Sequence, residues 1–148
     1  MDDIAIIGFY GPSNSGKTKL ITKIIKSLDE EGFHVANIKK SDKIIDIDSE
    51  GKDTWKYKKS GSKLVVLSSI KNTDFMLENR LEIEEIVNII SKIDRFDVVL
   101  IEGSNDVNIP KVKVGDGISR DNTIIDYRDN FNDVLSLIKN MIRNNENN

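Results

Sequence analysis

The sequence predicts an α/β domain with a largely parallel sheet. Short apolar runs of strand length alternate along the chain with longer segments whose apolar residues recur at helical spacing. A glycine-rich segment, residues 11–18, joins the first apolar run to the first helical pattern. Strands that alternate with helices in this way pair in parallel, because each helix carries the chain back across the sheet before the next strand begins.

The first elements are a strand, a helix and a second strand. Residues 4–10 are almost entirely apolar and predict a buried strand. The helix after the glycine-rich segment has an apolar face, and Gly32 can end it in the left-handed conformation. Residues 33–38 predict the second strand, and residues 39–50 a polar loop. The apolar face of the helix consists of Leu20, Ile21, Ile24, Ile25 and Leu28.

The middle of the chain continues the alternation. Residues 51–60 predict a short helix closed by Gly61, and residues 63–69 a short buried strand. A further strand is expected at residues 75–77. The next helix is amphipathic by spacing. Its apolar residues are Ile83, Ile86, Val87, Ile90 and Ile93.

The last elements complete one domain, predicted to span residues 1–143. Residues 97–102 predict a strand buried on both faces, and strand signals follow around Val112 and over residues 123–127. A polar tail is expected at residues 144–148. The apolar face of the final helix consists of Phe131, Val134, Leu135, Ile138, Met141 and Ile142.

Composition narrows the possible functions. The net charge of −3 argues against binding nucleic acid through bulk charge. No apolar run approaches the ~20 residues that a membrane span needs. The chain begins Met1-Asp2-Asp3, without the basic start of a signal peptide, so a cytoplasmic location is expected. The absence of cysteine rules out disulfides, thiolate zinc sites and a cysteine nucleophile.

The glycine-rich segment is a predicted phosphate loop. Residues 11–18 match the pattern G-x-x-x-x-G-K-[ST], with a strand before and a helix after, as the motif requires. Backbone N–H groups of such a loop bind phosphate, Lys17 would reach the β- and γ-phosphates, and the Thr18 hydroxyl would hold Mg²⁺. The motif predicts a P-loop NTPase three-layer sandwich; the alternative is a Gly/Ser-rich turn that happens to carry a lysine. The predicted nucleotide contacts here are Pro12, Ser13, Asn14, Ser15, Gly16, Lys17 and Thr18.

A second acidic position is expected beside the phosphate loop. Glu102 ends the apolar strand of residues 97–102, and ligands bind at the carboxyl ends of parallel strands. A carboxylate there can hold Mg²⁺ through water or orient an attacking water, which makes Glu102, with Lys17, a predicted catalytic residue. The alternative is a solvated charge at a strand end.

Two further charged pairs leave their roles open. Asp46 and Asp48 would share one face of an extended segment and could bind the water shell of a metal or a base. They could equally be the solvated side of a loop, and taken alone the two residues favour this second interpretation. Lys111 and Lys113 alternate on a late strand and face either solvent or an anionic partner.

A series of segments follows the phosphate loop in a characteristic order. They are Ile38-Lys39-Lys40-Ser41, Asp46-Ile47-Asp48, Gly51-Lys52-Asp53-Thr54, Ser60-Gly61-Ser62, Leu100-Ile101-Glu102-Gly103 and Pro110-Lys111-Val112. In this order they resemble the molybdopterin-guanine dinucleotide biosynthesis protein B family over residues 4–114.

The resemblance implies a GTP-binding accessory protein of molybdenum or tungsten cofactor biosynthesis. Such proteins bind GTP with Mg²⁺, form homodimers, are at most low-turnover GTPases, and assist the molybdopterin guanylyltransferase that makes molybdopterin guanine dinucleotide. By position, residues 14–18 would hold the phosphates, Thr18 and Glu102 the Mg²⁺ shell, and Asp46 and Asp48 would lie near the nucleotide or the dimer seam. Molybdopterin itself is a further candidate ligand.

The sequence departs from the family in the segment after the second strand. Where members carry histidines, this chain has Lys40, Asp42 and Lys43, so no pterin site is assigned. The guanine preference comes only from the resemblance, since the N-K-x-D signature is absent.

Two other functions compete with the accessory role. A small-molecule kinase usually needs clustered cationic groups, often on a lid, whereas the five arginines are scattered and no lid-sized insertion is evident: Arg80, Arg95, Arg120, Arg128 and Arg143. A protein-only scaffold would have to retain Lys17 and Thr18 by accident.

Overall fold

The computed structural model describes residues 4–147, in which helices and strands alternate as expected. The strands are β1 (Ala5–Tyr10), β2 (Val35–Lys39), β3 (Leu64–Ser68), β4 (Thr73–Leu77), β5 (Val98–Glu102), β6 (Lys111–Val114) and β7 (Thr123–Tyr127). The helices are α1 (Lys17–Glu30), α2 (Asp53–Lys59), α3 (Ile83–Ile93) and α4 (Phe131–Glu146).

The main sheet has five parallel strands in the order β2-β5-β1-β6-β7. The central strand β1 lies between β5 and β6, with Phe9 opposite Glu102 and Tyr10 opposite Lys113. All five carboxyl ends therefore meet at one edge of the sheet. This arrangement confirms the predicted parallel sheet.

The sheet is buried on both faces, which makes the fold a three-layer sandwich. Ile7, Phe9 and Leu100 belong to a core that also contains residues of α1 and α4. Val99 and Ile101 point to the opposite face, because side chains alternate along a strand, and they are also fully buried. The apolar run of β5 is thus explained by burial on two sides.

The end of α1 has the conformation that glycine permits. Gly32 has φ 86° and follows the last turn, where its N–H donates to the Asp29 carbonyl at 2.9 Å. A residue with a Cβ rarely adopts this backbone angle, which confirms the predicted role of Gly32.

The structure corrects the prediction of a buried strand at residues 63–69. Within the part of the chain that the structure describes, strand β3 pairs only with β4, in an antiparallel hairpin. Val65 is buried, whereas Leu64, Val66 and Leu67 are each 45–48% exposed. The apolar run indicated burial, but a two-stranded sheet covers one face at most.

The final helix is longer than predicted. Helix α4 extends to Glu146, three residues into the expected tail. No glycine or proline interrupts this stretch, and the Asn147 side-chain amide donates to the Arg143 carbonyl at 2.8 Å. Polar residues without a helix breaker can continue a helix on its exposed side.

The chain forms two compact units. The first contains Met1–Ser41 and Val87–Asn148, and the second contains Asp42–Ile86, with α2, β3 and β4. The expectation that no lid-sized insertion exists was wrong, because the second unit interrupts the first. The predicted single domain over residues 1–143 stays a prediction. Between residues 4 and 147, no helix is long and apolar enough to cross a membrane.

Candidate functional site

The predicted phosphate loop lies at the carboxyl edge of the sheet, between β1 and α1. Its backbone turns through positive φ angles at Gly11 (151°), Asn14 (59°) and Gly16 (95°). Gly16 caps α1, and among residues 4–147 no side-chain hydrogen bond caps that helix. The free N–H groups at the start of α1 are therefore open to an anion, whose charge the helix dipole would favour.

One wall of the loop is the end of strand β6. A Cβ atom on Gly11 would lie 1.9 Å from the Val114 carbonyl oxygen, and one on Gly115 would lie 2.9 Å from Ser15 Cβ. Two glycines thus allow the loop to pack directly on β6. Only the first belongs to the motif, so sequence reasoning missed Gly115.

The Lys17 ammonium is folded back onto the loop. Its Nζ donates to the carbonyl oxygens of Gly11 at 2.6 Å and Pro12 at 2.7 Å. These hydrogen bonds keep the Lys17 ammonium at the loop. Because an anionic phosphate is a stronger acceptor than a neutral carbonyl, the ammonium can exchange these partners for a bound phosphate.

A cleft of about 470 Å³ brings the loop and Glu102 together. Glu102 reaches it because β5 lies beside β1 in the sheet. Of the predicted nucleotide contacts, Pro12 and Ser15 do not line the cleft; the buried Ser15 hydroxyl has no hydrogen-bond partner among the described residues. The lining residues are Ser13, Asn14, Gly16, Lys17, Thr18, Lys19 and Glu102.

The chemistry of the cleft fits a magnesium nucleotide. Mg²⁺ is usually held by one or two protein oxygen ligands together with phosphate oxygens and water. The Thr18 hydroxyl and the Glu102 carboxylate are ligands of this kind. Lys19, which sequence reasoning did not select, also lines this cleft.

The position of Glu102 is set by tight backbone packing. The Glu102 carbonyl accepts from the Lys40 N–H, and the Gly103 N–H donates to the Phe9 carbonyl, both at 2.9 Å. Gly103 has φ 89°, and a Cβ there would lie 2.7 Å from the Lys40 carbonyl oxygen. The glycine in the Glu-Gly pair is therefore a steric requirement.

Lys111 contacts neither solvent nor an anionic partner, so both sequence-based interpretations are wrong for it. It is 1% exposed, and its ammonium donates to the backbone carbonyls of Asp106, Ile109 (2.7 Å) and Asp121 (2.9 Å). A Cβ on Gly8 would lie 3.2 Å from Lys111 Cγ, so that glycine makes room for the lysine stem. Lys111 joins two loops by filling all three donor positions of its ammonium.

In the second unit, Asp46 and Asp48 both reach Lys58 of α2. Its Nζ lies 3.5 Å from Asp46 Oδ1 and 3.5 Å from Asp48 Oδ2. Asp48 Oδ1 also accepts from the Ser49 N–H at 2.9 Å and the Thr54 hydroxyl at 3.2 Å. The side chain of Asp48 is only 7% exposed, so the favoured interpretation as a solvated loop face was wrong for it. The nucleotide role of both aspartates stays a prediction.

The contacts around Asp48 and Lys58 shift both pKa values toward the charged forms. Burial opposes ionisation of Asp48, but the Ser49 N–H, the Thr54 hydroxyl and Lys58 outweigh it and lower the pKa of Asp48. Burial likewise opposes the charge of Lys58, but Asp46 and Asp48 outweigh it and raise the pKa of Lys58.

We expect the second unit to lose stability in acid as Asp48 becomes protonated. A lowered folded-state pKa gives stability that is present above the ordinary aspartate range and is lost as pH falls through the folded pKa. In the basic range, the contribution of Lys58 to the stability of the second unit is lost as pH rises through its raised pKa. Fluorescence of Trp55 in α2, the only tryptophan, follows the transition.

In an Asp48→Asn variant, the stability of the second unit should depend less on pH in the acidic range. Asp46→Asn is the matched control, because that carboxylate is 56% exposed and should change the acid transition less. Equal acid transitions in wild type and Asp48→Asn would contradict the expectation.

Comparisons with known proteins agree on one family. Residues 6–139 match the family model described as "Molybdopterin guanine dinucleotide synthesis protein B". A relative from Methanocaldococcus jannaschii is 34% identical over 145 residues, which cover 90% of this chain. The molybdopterin-guanine dinucleotide biosynthesis adapter protein of Haemophilus influenzae is 34% identical over 113 residues, or 75% of this chain.

A solved structure shares the fold of this chain over nearly the whole length of both proteins. The Bacillus subtilis MobB structure superposes with a TM-score of 0.74 at 18% identity, covering 93% of this chain and 98% of that one. The chain spans only 60% and 63% of the length of the Methanocaldococcus and Haemophilus relatives. From the match of the family model over most of its length, this chain belongs to the molybdopterin guanine dinucleotide synthesis protein B family.

Proposed function

We propose that the chain binds GTP with Mg²⁺ and acts as an adapter in the formation of molybdopterin guanine dinucleotide. The observation that carries the proposal is the cleft in which Lys17 and Thr18 of the phosphate loop meet Glu102. The pathway is supported by family membership and by the adapter proteins that the chain resembles.

Each residue of the cleft has a separate task in this proposal. Backbone N–H groups of residues 13–18 bind phosphate oxygens, and Lys17 exchanges its two carbonyl partners for the β- and γ-phosphates. Thr18 and Glu102 complete the Mg²⁺ shell, and bound Mg²⁺ neutralises charge on the phosphates.

Slow hydrolysis is consistent with the composition of the cleft. Phosphoryl transfer is usually accelerated by an arginine that neutralises the developing charge. Among the described residues, those lining the cleft include two lysines but not an arginine. We therefore propose a turnover far below the enzyme median of about 10 s⁻¹.

Calorimetry with GTP, ATP and GDP in the presence of Mg²⁺ tests the nucleotide. Preferential binding of GTP with slow turnover supports the proposal. Rapid phosphoryl transfer to a small acceptor would favour the kinase alternative, and failure to bind any triphosphate would exclude both.

The adapter role needs its own measurement. In a reconstituted reaction, adding the chain with GTP should increase the yield of molybdopterin guanine dinucleotide made by a molybdopterin guanylyltransferase. A Lys17→Ala variant provides the control for nucleotide dependence. Equal yields with and without the chain would contradict the adapter role, and direct binding of molybdopterin can be measured in the same samples.

Replacing Glu102 with glutamine should reduce hydrolysis more than binding. The amide keeps the shape of the side chain but cannot act as a base or neutralise a cation, so we expect about a 100-fold loss of GTP hydrolysis. Binding of GDP without Mg²⁺ should be unchanged by calorimetry. Glu30→Gln, at an exposed position on α1, is the control. Loss of metal-free GDP binding in Glu102→Gln would show that the metal-shell role is wrong.

We further propose a cytoplasmic location and, separately, a homodimer, which the hairpin of the second unit supports. Phe75 and Leu77 of β4 are 62% and 44% exposed, beside the exposed side chains of β3. A two-stranded hairpin that exposes apolar residues on this scale is marginal alone and gains stability from a partner. Sedimentation of wild type and Phe75→Lys tests the homodimer. We expect a dimeric wild type and a monomeric variant, and a monomeric wild type would contradict the proposal.

A further inference from the structure

Arg120 lies behind the phosphate cleft, on the opposite face of the main sheet. Phe9 and Glu102 are paired in register, so their side chains share one face, and Phe9 packs in the core that contains residues of α1. Tyr10 follows Phe9 and therefore points to the other face, where the Arg120 guanidinium lies 4.8 Å from the centre of its ring. Any effect of Arg120 on a bound nucleotide must therefore pass through other residues.

The backbone of Arg120 is fixed by side chains of the neighbouring strands. Its N–H donates to the Tyr10 hydroxyl at 2.9 Å, and its carbonyl accepts from the Thr123 hydroxyl at 2.6 Å. The Tyr10 and Thr123 hydroxyls lie 2.6 Å apart, which closes a ring of three hydrogen bonds. Lys111 donates to the carbonyl of the next residue, Asp121, at 2.9 Å. The place of Arg120 is therefore imposed by the fold.

The Arg120 guanidinium joins the two segments that form the cleft. The last registered pair of β1 and β5 is Phe9 and Glu102. Beyond this pair, Tyr10 leads into the phosphate loop, and Ser104 follows Glu102 by two residues. Arg120 lies over the Tyr10 ring and donates from Nη1 to the Ser104 carbonyl at 2.9 Å. It therefore connects the two segments where the pairing of the sheet has ended.

Ser104 is a well-packed point close to Glu102. It is 1% exposed, and its hydroxyl accepts from the Asp106 N–H at 3.3 Å. A Cβ on Gly8 would lie 3.3 Å from the Ser104 Cβ, so Ser104 packs directly on β1. Only Gly103, with φ 89°, separates Ser104 from Glu102. A displacement of Ser104 would therefore reach the Glu102 backbone through a single residue.

We propose that Arg120 is a positioning residue for the Mg²⁺ site and that, by joining Tyr10 to Ser104, it sets the distance between Thr18 and Glu102. The inference rests on the proposed binding of GTP with Mg²⁺. Because Mg²⁺ demands near-ideal octahedral geometry, a small change in the separation of two groups of its shell weakens its binding. Residues that orient such groups typically contribute about 10- to 100-fold to metal affinity.

The Mg²⁺ dependence of GTP binding in Arg120→Met tests the proposal. Methionine keeps an apolar stem over the Tyr10 ring but removes the donor to the Ser104 carbonyl. The Mg²⁺ concentration that gives half of the maximal gain in GTP affinity, measured by calorimetry, should rise by about 10-fold. Binding of GDP without Mg²⁺ should be unchanged, because Arg120 does not contact the phosphate loop residues that line the cleft.

Arg128→Met is the matched control, because Arg128 is an exposed arginine in the segment between β7 and α4. It should leave the Mg²⁺ dependence unchanged. Tyr10→Phe is a second test, which applies even if Arg120→Met does not fold. It keeps the ring beside the guanidinium but removes the hydroxyl that accepts from the Arg120 N–H. We expect Tyr10→Phe to raise the required Mg²⁺ concentration as well.

Three results would overturn the positioning role and leave the proposed function standing, provided that wild type needs Mg²⁺ for tight GTP binding. The first is an unchanged Mg²⁺ dependence in Arg120→Met, or in Tyr10→Phe where Arg120→Met does not fold. The second is a shift of the same size in Arg128→Met. The third is an equal loss of GDP affinity without Mg²⁺, which would show that Arg120 only supports the loop. If wild type binds no triphosphate, or binds it equally without Mg²⁺, the proposed function and this inference both fail.

Discussion

Replacing Lys17 with alanine is expected to abolish nucleotide binding, with a loss of affinity of at least about 100-fold, because the charge that would contact the β- and γ-phosphates is removed. The same ammonium bonds the carbonyls of Gly11 and Pro12, so its removal also frees two acceptors of the loop. Thermal unfolding with and without GTP measures the effect. At a ligand concentration of ~100 times the wild-type Kd, wild type should gain about 2.7 kcal/mol, and Lys17→Ala should gain no more than about 0.4 kcal/mol.

Lys26→Ala is the control for this experiment. Lys26 lies on α1, its side chain is 78% exposed, and its Nζ pairs with Glu30 at 4.0 Å. This variant should keep the full stabilisation by GTP. Unchanged stabilisation in Lys17→Ala would mean that the phosphates bind elsewhere.

Replacing Lys111 with methionine is expected to destabilise the first unit by about 3 kcal/mol, although Lys111 lies outside the phosphate loop. Methionine keeps most of the apolar stem beside Gly8 but removes the ammonium that donates to three backbone carbonyls. Because Lys111 is buried, these carbonyls would lose their hydrogen bonds away from solvent. Urea unfolding followed by circular dichroism measures the free energy of unfolding.

Lys113→Met is the control, because it removes the other lysine of β6 without removing the three carbonyl contacts of Lys111. Lys113 is half-buried, and its Nζ reaches the Ser119 hydroxyl only at 3.4 Å. We expect a change of less than about 1 kcal/mol. Similar losses in the two variants would show that the three carbonyl contacts of Lys111 contribute little.

The phosphate loop and the main sheet could be predicted because their signals are local. The strand, the eight-residue motif and the helix are contiguous in sequence, and each has a pattern of its own. Glu102 was placed at the same edge because carboxyl ends of parallel strands coincide. The observed cleft brings it beside Thr18 as expected.

Other features depended on contacts between distant residues. Gly115 packs on Ser15, and Lys111 reaches the Asp121 carbonyl, although nothing in the pattern of β6 marks either contact. The apolar run of β3 looked like a buried strand of the main sheet, but it pairs only with β4. Periodicity reports which residues are apolar and does not report which surface covers them.

By itself, the sequence determined the alternation of strands and helices, the phosphate loop and the family resemblance, because these depend on residue order over short distances. Only the tertiary structure decided that Asp48 is paired with Lys58 and that Lys111 is buried among backbone carbonyls. The physical reason is that burial and pairing arise where segments far apart in the chain meet, and the path that brings them together is a property of the whole fold.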